Sequence, residues 1–207
     1  MMKHRILLLA FTYFFLVPFE KLYGQGNFVY EEAKQLYDVG EYKKAYRTFE
    51  KALDKGYDYA LNDLVRFHLE GIPPCKKNVE NALKLVNEFS MNNRNSGLGY
   101  YILANLYYEG KYIKQDNDRA VENALKATQK GYASAFSLLG YFYFNGVGAV
   151  TNEKMAADIF EKGVTAGDML SCNFLGQVYL YGKGRPSDYA KAFSLFRKAL
   201  DGNVKEA

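Results

Sequence analysis

Side chains that commonly carry out covalent or metal chemistry are scarce in this chain of 207 residues. It contains two histidines, His4 and His68, and two cysteines, Cys75 and Cys172. A zinc site needs three or four nitrogen, sulfur or carboxylate ligands in one small cluster. A single internal histidine with two cysteines far apart in the sequence does not supply such a cluster. The sequence therefore predicts no metal site and no cofactor.

His68 is the remaining candidate for acid–base catalysis. An imidazole changes its charge near neutral pH and could transfer a proton. However, His68 occupies a position at which three related segments of the chain, described below, carry tyrosine. We therefore interpret His68 as a packed ring whose polar edge is hydrogen-bonded, and not as a catalytic residue.

Other motifs for chemistry are incomplete or missing. Gly146-Val147-Gly148 has two glycines of a phosphate-binding loop, but the third glycine and the preceding strand are missing. The chain has no Ser-x-x-Lys and no Gly-x-Ser-x-Gly motif, which mark common serine nucleophiles. These observations predict a protein that is not an enzyme and that functions through its surface.

The elements that carry these residues form a repeating series. Small residues recur at intervals of 39, 36, 36 and 36 positions, and in the first four copies a leucine, a ring and a glycine follow four, eight and eleven positions later. These offsets place the side chains on one stripe of a helix that ends at the glycine. The small residues are Ala60, Gly99, Ala135, Ser171 and Ala207, the leucines are Leu64, Leu103, Leu139 and Leu175, the rings are His68, Tyr107, Tyr143 and Tyr179, and the glycines are Gly71, Gly110, Gly146 and Gly182.

A second series of small residues alternates with the first and opens a second helix in each repeat. Its members are Ala45, Ala82, Ala120, Ala156 and Ala192. Glycine or asparagine stands eleven positions after four of them, and Asn95 fills that place in the looser repeat after Ala82. These residue types tolerate the left-handed conformation that ends a helix, so we predict helix ends at Gly56, Gly131, Gly167 and Asn203.

Together the two series predict an all-α fold of stacked helical hairpins. First helices are expected near 57–69, 97–109, 133–145 and 168–181, second helices near 79–91, 117–130, 153–166 and 188–200, and an earlier hairpin at 28–39 and 41–55. Such hairpins bury their apolar faces only by stacking. We therefore predict one helical-repeat solenoid over residues 27–207, with units of about 28–56, 57–95, 96–131, 132–167 and 168–203.

The repeated pattern resembles the Sel1-like branch of the tetratricopeptide repeat superfamily. Ala135 to Gly148 has the spacing A-x-x-x-L-G-x-x-Y-x-x-G-x-G, and the segments 155–167 and 171–199 match comparably. The unit after Ala60 is a weaker match, and the segment 33–56 looks closer to an ordinary tetratricopeptide repeat. The resemblance implies a right-handed superhelix of antiparallel helix pairs that serves as a scaffold for another protein or peptide.

One property of some secreted relatives is not transferred to this chain. Those relatives are cysteine-rich, have one disulfide in each repeat and were linked to β-lactam binding. The two cysteines here lie three repeats apart. Because each helix is about 8–10 Å from its neighbour, we expect the cysteine Cα atoms to be much further apart than the roughly 7 Å that a disulfide spans. We therefore predict two free thiols.

The first 26 residues have the composition of a secretory signal peptide. Lys3 and Arg5 precede an uncharged run from Ile6 to Phe19, which is shorter than the roughly 20 residues of a membrane-spanning helix. Small residues suit a cleavage site after Gly24 or Gly26. Cleavage removes three basic residues and one acidic residue, so the net charge falls from +4 to +2. We therefore expect export to the periplasm or outside the cell, or to the endoplasmic reticulum lumen in a eukaryote, with no membrane span and no nucleic-acid partner.

The resemblance places the first helices on the inner, concave surface of the superhelix. The exposed residues of this inner face are then expected two, six and nine positions after each small residue. Their rings and amides suit contact with a peptide or a flexible protein segment. The candidates are Asn62, Arg66, Tyr101, Asn105, Tyr108, Ser137, Tyr141, Phe144, Asn173 and Gln177, with Leu69 and Leu180 at the equivalent ninth positions.

Arg66 is the one charged candidate on the inner face. Because a guanidinium group matches the two oxygens of a carboxylate, Arg66 near Asn105 could hold an acidic group of the partner.

The last predicted second helix leaves two readings open. This helix carries Phe193, Leu195, Phe196 and Leu200, and nothing follows it to cover its outward face. Either the sequence is a fragment of a longer repeat protein, or this end docks on another chain or a second copy.

The leading hypothesis is an exported, non-catalytic adaptor that binds a protein or peptide through its inner face. The alternatives are an envelope or secreted enzyme-like member that acts on peptides or cell-wall fragments, and an adaptor in the endoplasmic reticulum.

Overall fold

The computed structural model describes residues 25–93 and 96–205, and the side chains of residues 28–93 and 96–202 among them. Ten α-helices and no strand occur in these ranges. They are α1 (Gln25–Asp38), α2 (Tyr42–Asp54), α3 (Ala60–Glu70), α4 (Val79–Asn92), α5 (Leu98–Glu109), α6 (Asn117–Gln129), α7 (Ala133–Asn145), α8 (Glu153–Thr165), α9 (Met169–Tyr181) and α10 (Tyr189–Lys205). The all-α repeat fold predicted from the sequence is confirmed, while most of the predicted leader and Asn95 lie outside the described residues.

Glycines end the helices at most of the predicted positions. Gly71, Gly110, Gly146 and Gly182 cap the first helices in the left-handed conformation. Gly56, Gly131 and Gly167 have positive φ after the second helices. The predicted end at Asn203 is wrong, because α10 continues to Lys205. Asparagine tolerates the left-handed conformation but does not impose it, so the helix runs through this residue.

Short polar side chains cap the N-termini of several of these helices. Asp116, Asn152 and Asp168 each accept a hydrogen bond from the backbone N–H three residues further on, at 2.9–3.0 Å. Asp188 does the same for the Lys191 N–H, and this bond lowers the pKa of the Asp188 carboxyl. Such caps satisfy N–H groups that have no partner within the helix.

The chain divides between Ala82 and Leu83 into two compact units. In the N-terminal unit, α2 packs against both α1 and α3. Its core contains Phe49 and Phe67, whose ring centroids lie 6.2 Å apart, and Tyr37 and Tyr46 pack edge-on against Phe67.

In the C-terminal unit each helix from α5 to α10 packs against the next one, and α7 also contacts α9. Alanines make up much of the core, which lets neighbouring helices approach closely around Leu139, Phe142 and Phe160. Gly140 and Gly176 have the same effect, because a Cβ atom on either would overlap the Phe160 or the Phe196 ring. Among the described residues, no helix is both long and apolar enough to cross a membrane.

Two loops contain a pair of glycines, Gly146 with Gly148 and Gly182 with Gly184. The second glycine of each pair is required for two reasons. Gly148 and Gly184 have φ values of +60° and +79°. Each also lies directly against the first residue of the second helix in the preceding repeat, Asn117 or Glu153, where a Cβ atom would overlap the backbone. Both the backbone conformation and the lack of space therefore require glycine there.

Candidate functional site

Three of the predicted inner-face residues meet at one pocket in the C-terminal unit. Tyr141 and Phe144 on α7 and Gln177 on α9 line it together with Asn145, Phe160 and Phe174. The pocket has a volume of about 140 Å³. We call these six residues the aromatic pocket.

Three rings fix the shape of the aromatic pocket. Phe160 on α8 is buried and forms its floor. Phe174 on α9 stacks on Phe160 with a centroid separation of 5.2 Å and an interplanar angle of 23°. Tyr141 packs against Phe174 at 6.1 Å from α7. Helices α8 and α9 therefore each supply one ring of the pocket, and α7 supplies two, Tyr141 and Phe144.

Amide groups surround the opening of the pocket. Gln177 Nε2 donates to Asn173 Oδ1 at 3.0 Å, and both side chains are exposed on α9. Asn145 Nδ2 donates to the backbone carbonyl of Tyr141 at 3.0 Å. The ammonium group of Lys183 lies 5.6 Å from the centroid of the Phe144 ring. The polar side chains that line the pocket are uncharged, and the cation Lys183 lies beside Phe144.

Tyr108 connects α5 to this region. Its hydroxyl donates to the Tyr141 hydroxyl at 3.3 Å, and this hydrogen bond is the largest cause of a raised pKa of Tyr108. The two rings meet edge-on at 6.1 Å.

Tyr101 and Asn105 lie half-buried on α5 and already have partners. Tyr101 packs against Tyr132 at 5.0 Å, and its burial raises its pKa. Asn105 Nδ2 donates to the Tyr101 carbonyl at 2.9 Å.

Two predicted exposed positions are buried. Ser137 is only 3% exposed, and its hydroxyl donates back to the Ser134 carbonyl at 3.0 Å. A serine side chain is short and readily bonds to its own helix, so it does not reach beyond its neighbours. Leu69 is 5% exposed because this aliphatic side chain packs into the core of the N-terminal unit. Ser137 and Leu69 are therefore not contact residues, whereas Asn62 is exposed and Leu180 half-buried.

Arg66 in the N-terminal unit is held by its own neighbours. Its Nη2 lies 3.3 Å from Asp63 Oδ1, and its guanidinium group stacks over Tyr37 at 4.7 Å. Tyr30 donates to the other oxygen of Asp63 at 3.0 Å. Burial raises the pKa of Asp63, and the bond from Tyr30 and the charge of Arg66 oppose this shift. Arg66 and Asn105 belong to different compact units, so their joint carboxylate clamp stays a prediction.

His68 belongs to a small polar cluster in the N-terminal unit. Its Nε2 lies 3.2 Å from the Tyr46 hydroxyl and 3.9 Å from Cys75 Sγ, while its buried Nδ1 has no hydrogen-bond partner among the described residues. Burial lowers the pKa of His68 and raises that of Cys75. It also raises the pKa of Tyr46 to about 12.

The cluster is therefore neutral at pH 7. A thiol with a raised pKa is a weak nucleophile, because the thiolate is the reactive form. The predicted packed ring is confirmed for His68, but its polar edge is bonded at Nε2 and not at Nδ1, and the sequence pattern does not indicate its closeness to Cys75. Cys75 is a half-buried free thiol and Cys172 a fully buried one. In the described ranges, no group of three or more histidine, cysteine, aspartate or glutamate residues could hold a metal ion.

Comparison with known proteins identifies the repeats. Four segments match the Sel1 repeat, at residues 57–88, 97–132, 135–168 and 170–204, which together make up more than half of the chain. No curated protein matches the chain.

Several solved structures are similar to this chain. A Sel1 repeat protein from Oxalobacter formigenes is 23% identical, with a TM-score of 0.63 over 78% of this chain and 63% of that one. The protein c5321, a protective antigen present in uropathogenic Escherichia coli strains, is 27% identical with a TM-score of 0.63, over 86% of this chain and 38% of that one. Helicobacter pylori cysteine rich protein B is 28% identical with a TM-score of 0.51, over 64% of this chain and 93% of that one. The chain thus spans less than two thirds of the length of the first two proteins.

Proposed function

This chain belongs to the Sel1 repeat family, and we propose that it is a non-catalytic scaffold that binds a protein or peptide through the face carrying the aromatic pocket. Sel1 repeats generally serve as protein-interaction scaffolds. The observation that carries the proposal is the convergence of α7, α8 and α9 on a pocket lined by rings and amides. Rings supply contact area at a small entropic cost, and amides both donate and accept hydrogen bonds.

A crosslinking experiment tests this proposal. The wild-type protein and the double variant Asn173→Ala/Gln177→Ala are crosslinked in their own cellular fraction, and the attached proteins are identified by mass spectrometry. Both side chains are exposed, so the variant keeps the core intact. A protein that is crosslinked to the wild type and lost from the variant supports the proposal.

The matched control is the double variant Asn87→Ala/Gln129→Ala, which removes two exposed amides from the second helices α4 and α6. This control should retain the crosslinked protein. An identical set of proteins for wild type and both variants contradicts binding through the aromatic-pocket face.

The scaffold acts outside the cytoplasm in this proposal. Support comes from the basic residues Lys3 and Arg5, the uncharged run 6–19 and the small residues Gly24 and Gly26. Mass spectrometry of the N-terminal peptide from the native source tests export. A mature N-terminus at Gln25 or Asn27 is expected, and a retained Met1 contradicts cleavage.

The proposal assigns no catalytic role to the His68 cluster. An enzyme-like role on peptides or cell-wall fragments would need an activated nucleophile or base. The lowered pKa of His68 and the raised pKa of Cys75 favour the neutral imidazole and thiol at pH 7. The protonated thiol is a weak nucleophile, which favours a structural role for Cys75 over nucleophilic catalysis.

A further inference from the structure

The aromatic pocket also restricts what the partner presents to it. We infer that it seats one uncharged aliphatic side chain of an extended peptide segment in preference to lysine or arginine. This inference rests on the proposed function and specifies the partner's chemistry.

The size of the pocket favours a single side chain. Its volume of about 140 Å³ is less than half of the roughly 300 Å³ at which pockets for small molecules begin. A cofactor or metabolite would therefore remain largely exposed in it. One aliphatic side chain, in contrast, would contact the half-buried Tyr141 and Phe174 rings above the buried Phe160 ring. Protein interfaces concentrate binding energy in such anchor residues.

The charges around the pocket select against a cationic anchor. Aromatic faces attract ammonium and guanidinium groups, so the rings alone would accept lysine or arginine. The ammonium group of Lys183 already lies 5.6 Å from the Phe144 ring and would repel a second cation. None of the six lining residues is an aspartate or glutamate that could compensate. An uncharged side chain avoids this repulsion and gains from leaving water.

The amides at the rim favour an extended backbone on either side of the anchor. The bond from Gln177 to Asn173 joins two exposed amides one helical turn apart on α9, and Asn145 faces the same opening from α7. A partner helix satisfies its own backbone groups, whereas an extended segment presents free N–H and C=O groups. Amide side chains can pair with both kinds of group.

The test uses a random-peptide phage library selected against the full-length protein. Selected peptides should share leucine, isoleucine or valine at one position. The strongest binder is then synthesised with a fluorescent label, and replacing that residue by lysine should weaken binding by at least about tenfold, as expected for loss of a buried aliphatic anchor.

Two protein variants carry the same substitution at different sites. Gln177→Phe puts a ring at the mouth of the pocket and should reduce peptide affinity by at least about tenfold, whereas Gln129→Phe on α6 should leave it unchanged. Both glutamines are exposed, so neither change disturbs the core, and circular dichroism checks folding.

The outcomes separate this inference from the proposed function. Peptides that share lysine, arginine or an acidic residue, or that bind Gln177→Phe as tightly as wild type, overturn the aliphatic anchor. A library that yields no binding peptide, while a crosslinked partner is still lost from Asn173→Ala/Gln177→Ala, overturns the aliphatic anchor but is consistent with the scaffold proposal. Failure of both experiments overturns both.

Discussion

Burial determines the protonation of the few reactive side chains in this protein. The Nε2 atom of His68 lies within hydrogen-bonding distance of the Tyr46 hydroxyl and the Cys75 thiol. Burial lowers the pKa of His68 and raises those of Tyr46 and Cys75, so it favours the neutral form of all three groups. In sequence terms His68 replaces a tyrosine of the other repeats. A neutral imidazole can occupy the place of such a ring without introducing a charge.

This environment predicts a measurable pH dependence of folding. The pKa of His68 is lower in the folded protein than the ordinary value of 6.5. As the pH falls below about 6.5, the unfolded chain binds this proton first, so the folded state loses stability until the pH passes the folded pKa. Tyr46 and Cys75 stay protonated throughout this range.

The variant His68→Tyr isolates the contribution of this residue. Between about pH 7.5 and pH 5 the melting temperature of the wild type should fall further than that of His68→Tyr. Carboxyl groups with raised pKa values, such as Glu50, remain in both proteins and cancel in the comparison. Equal falls for the two proteins would show that His68 titrates alike in the folded and unfolded states.

At the level of helices and loops, glycine positions determine where the chain turns. The sequence pattern was sufficient to predict all ten helices of the described residues, because small residues and glycines mark helix contacts and helix ends. The pattern fails at Asn203, because asparagine tolerates the left-handed conformation that ends a helix but does not impose it. The pattern also missed Phe160, Phe174 and Asn145, because it orders residues within one helix while the pocket joins three helices.

Gly131 and Gly148 allow the cost of backbone strain to be measured separately from the cost of steric overlap. Gly131 and Gly148 both have positive φ, but a Cβ atom at Gly131 meets nothing within 4 Å, whereas at Gly148 it overlaps the Asn117 backbone. Gly131→Ala should therefore lower the free energy of unfolding by about 1 kcal/mol. Gly148→Ala should lower it by about 1–3 kcal/mol more, as overpacking does. Urea unfolding measures both, and equal losses would rule out the steric contribution.

For the whole molecule, the surface of α10 is the second region where an interaction is proposed. Phe193 and Leu200 are 70% and 66% exposed there, and a pocket beside them is lined by Met169, Arg197 and Gly202 among others. Large exposed apolar side chains on one helix face are typical of interaction surfaces. Repeat positions predict this apolar helix face only in part, because Phe193 and Leu200 are exposed whereas Phe196 packs over Gly176 and Leu195 packs against the core. The occupant of such a face cannot be derived from a pattern that specifies only the scaffold.

We expect the purified chain to self-associate through α10. Light scattering over a range of protein concentrations should give a rising average mass for the wild type, because pairing would cover Phe193 and Leu200. The double variant Phe193→Asp/Leu200→Asp should remain monomeric. The control Tyr181→Asp changes an exposed ring on α9 and should behave as wild type. A wild-type protein that stays monomeric at all concentrations contradicts this proposal.

The contacts of Gly148 and Gly184 also bear on how such a chain changes length during evolution. Each loop touches the start of the preceding repeat's second helix in the same way, and the small residues Ala135 and Ser171 lie 36 positions apart. A duplicated segment of that length would therefore contain both the loop glycine and the helix start that it contacts. Tandem duplication in register can lengthen the array while keeping the same contacts between repeats, whereas a single-residue insertion in either loop would disrupt the contact between the loop glycine and the preceding helix.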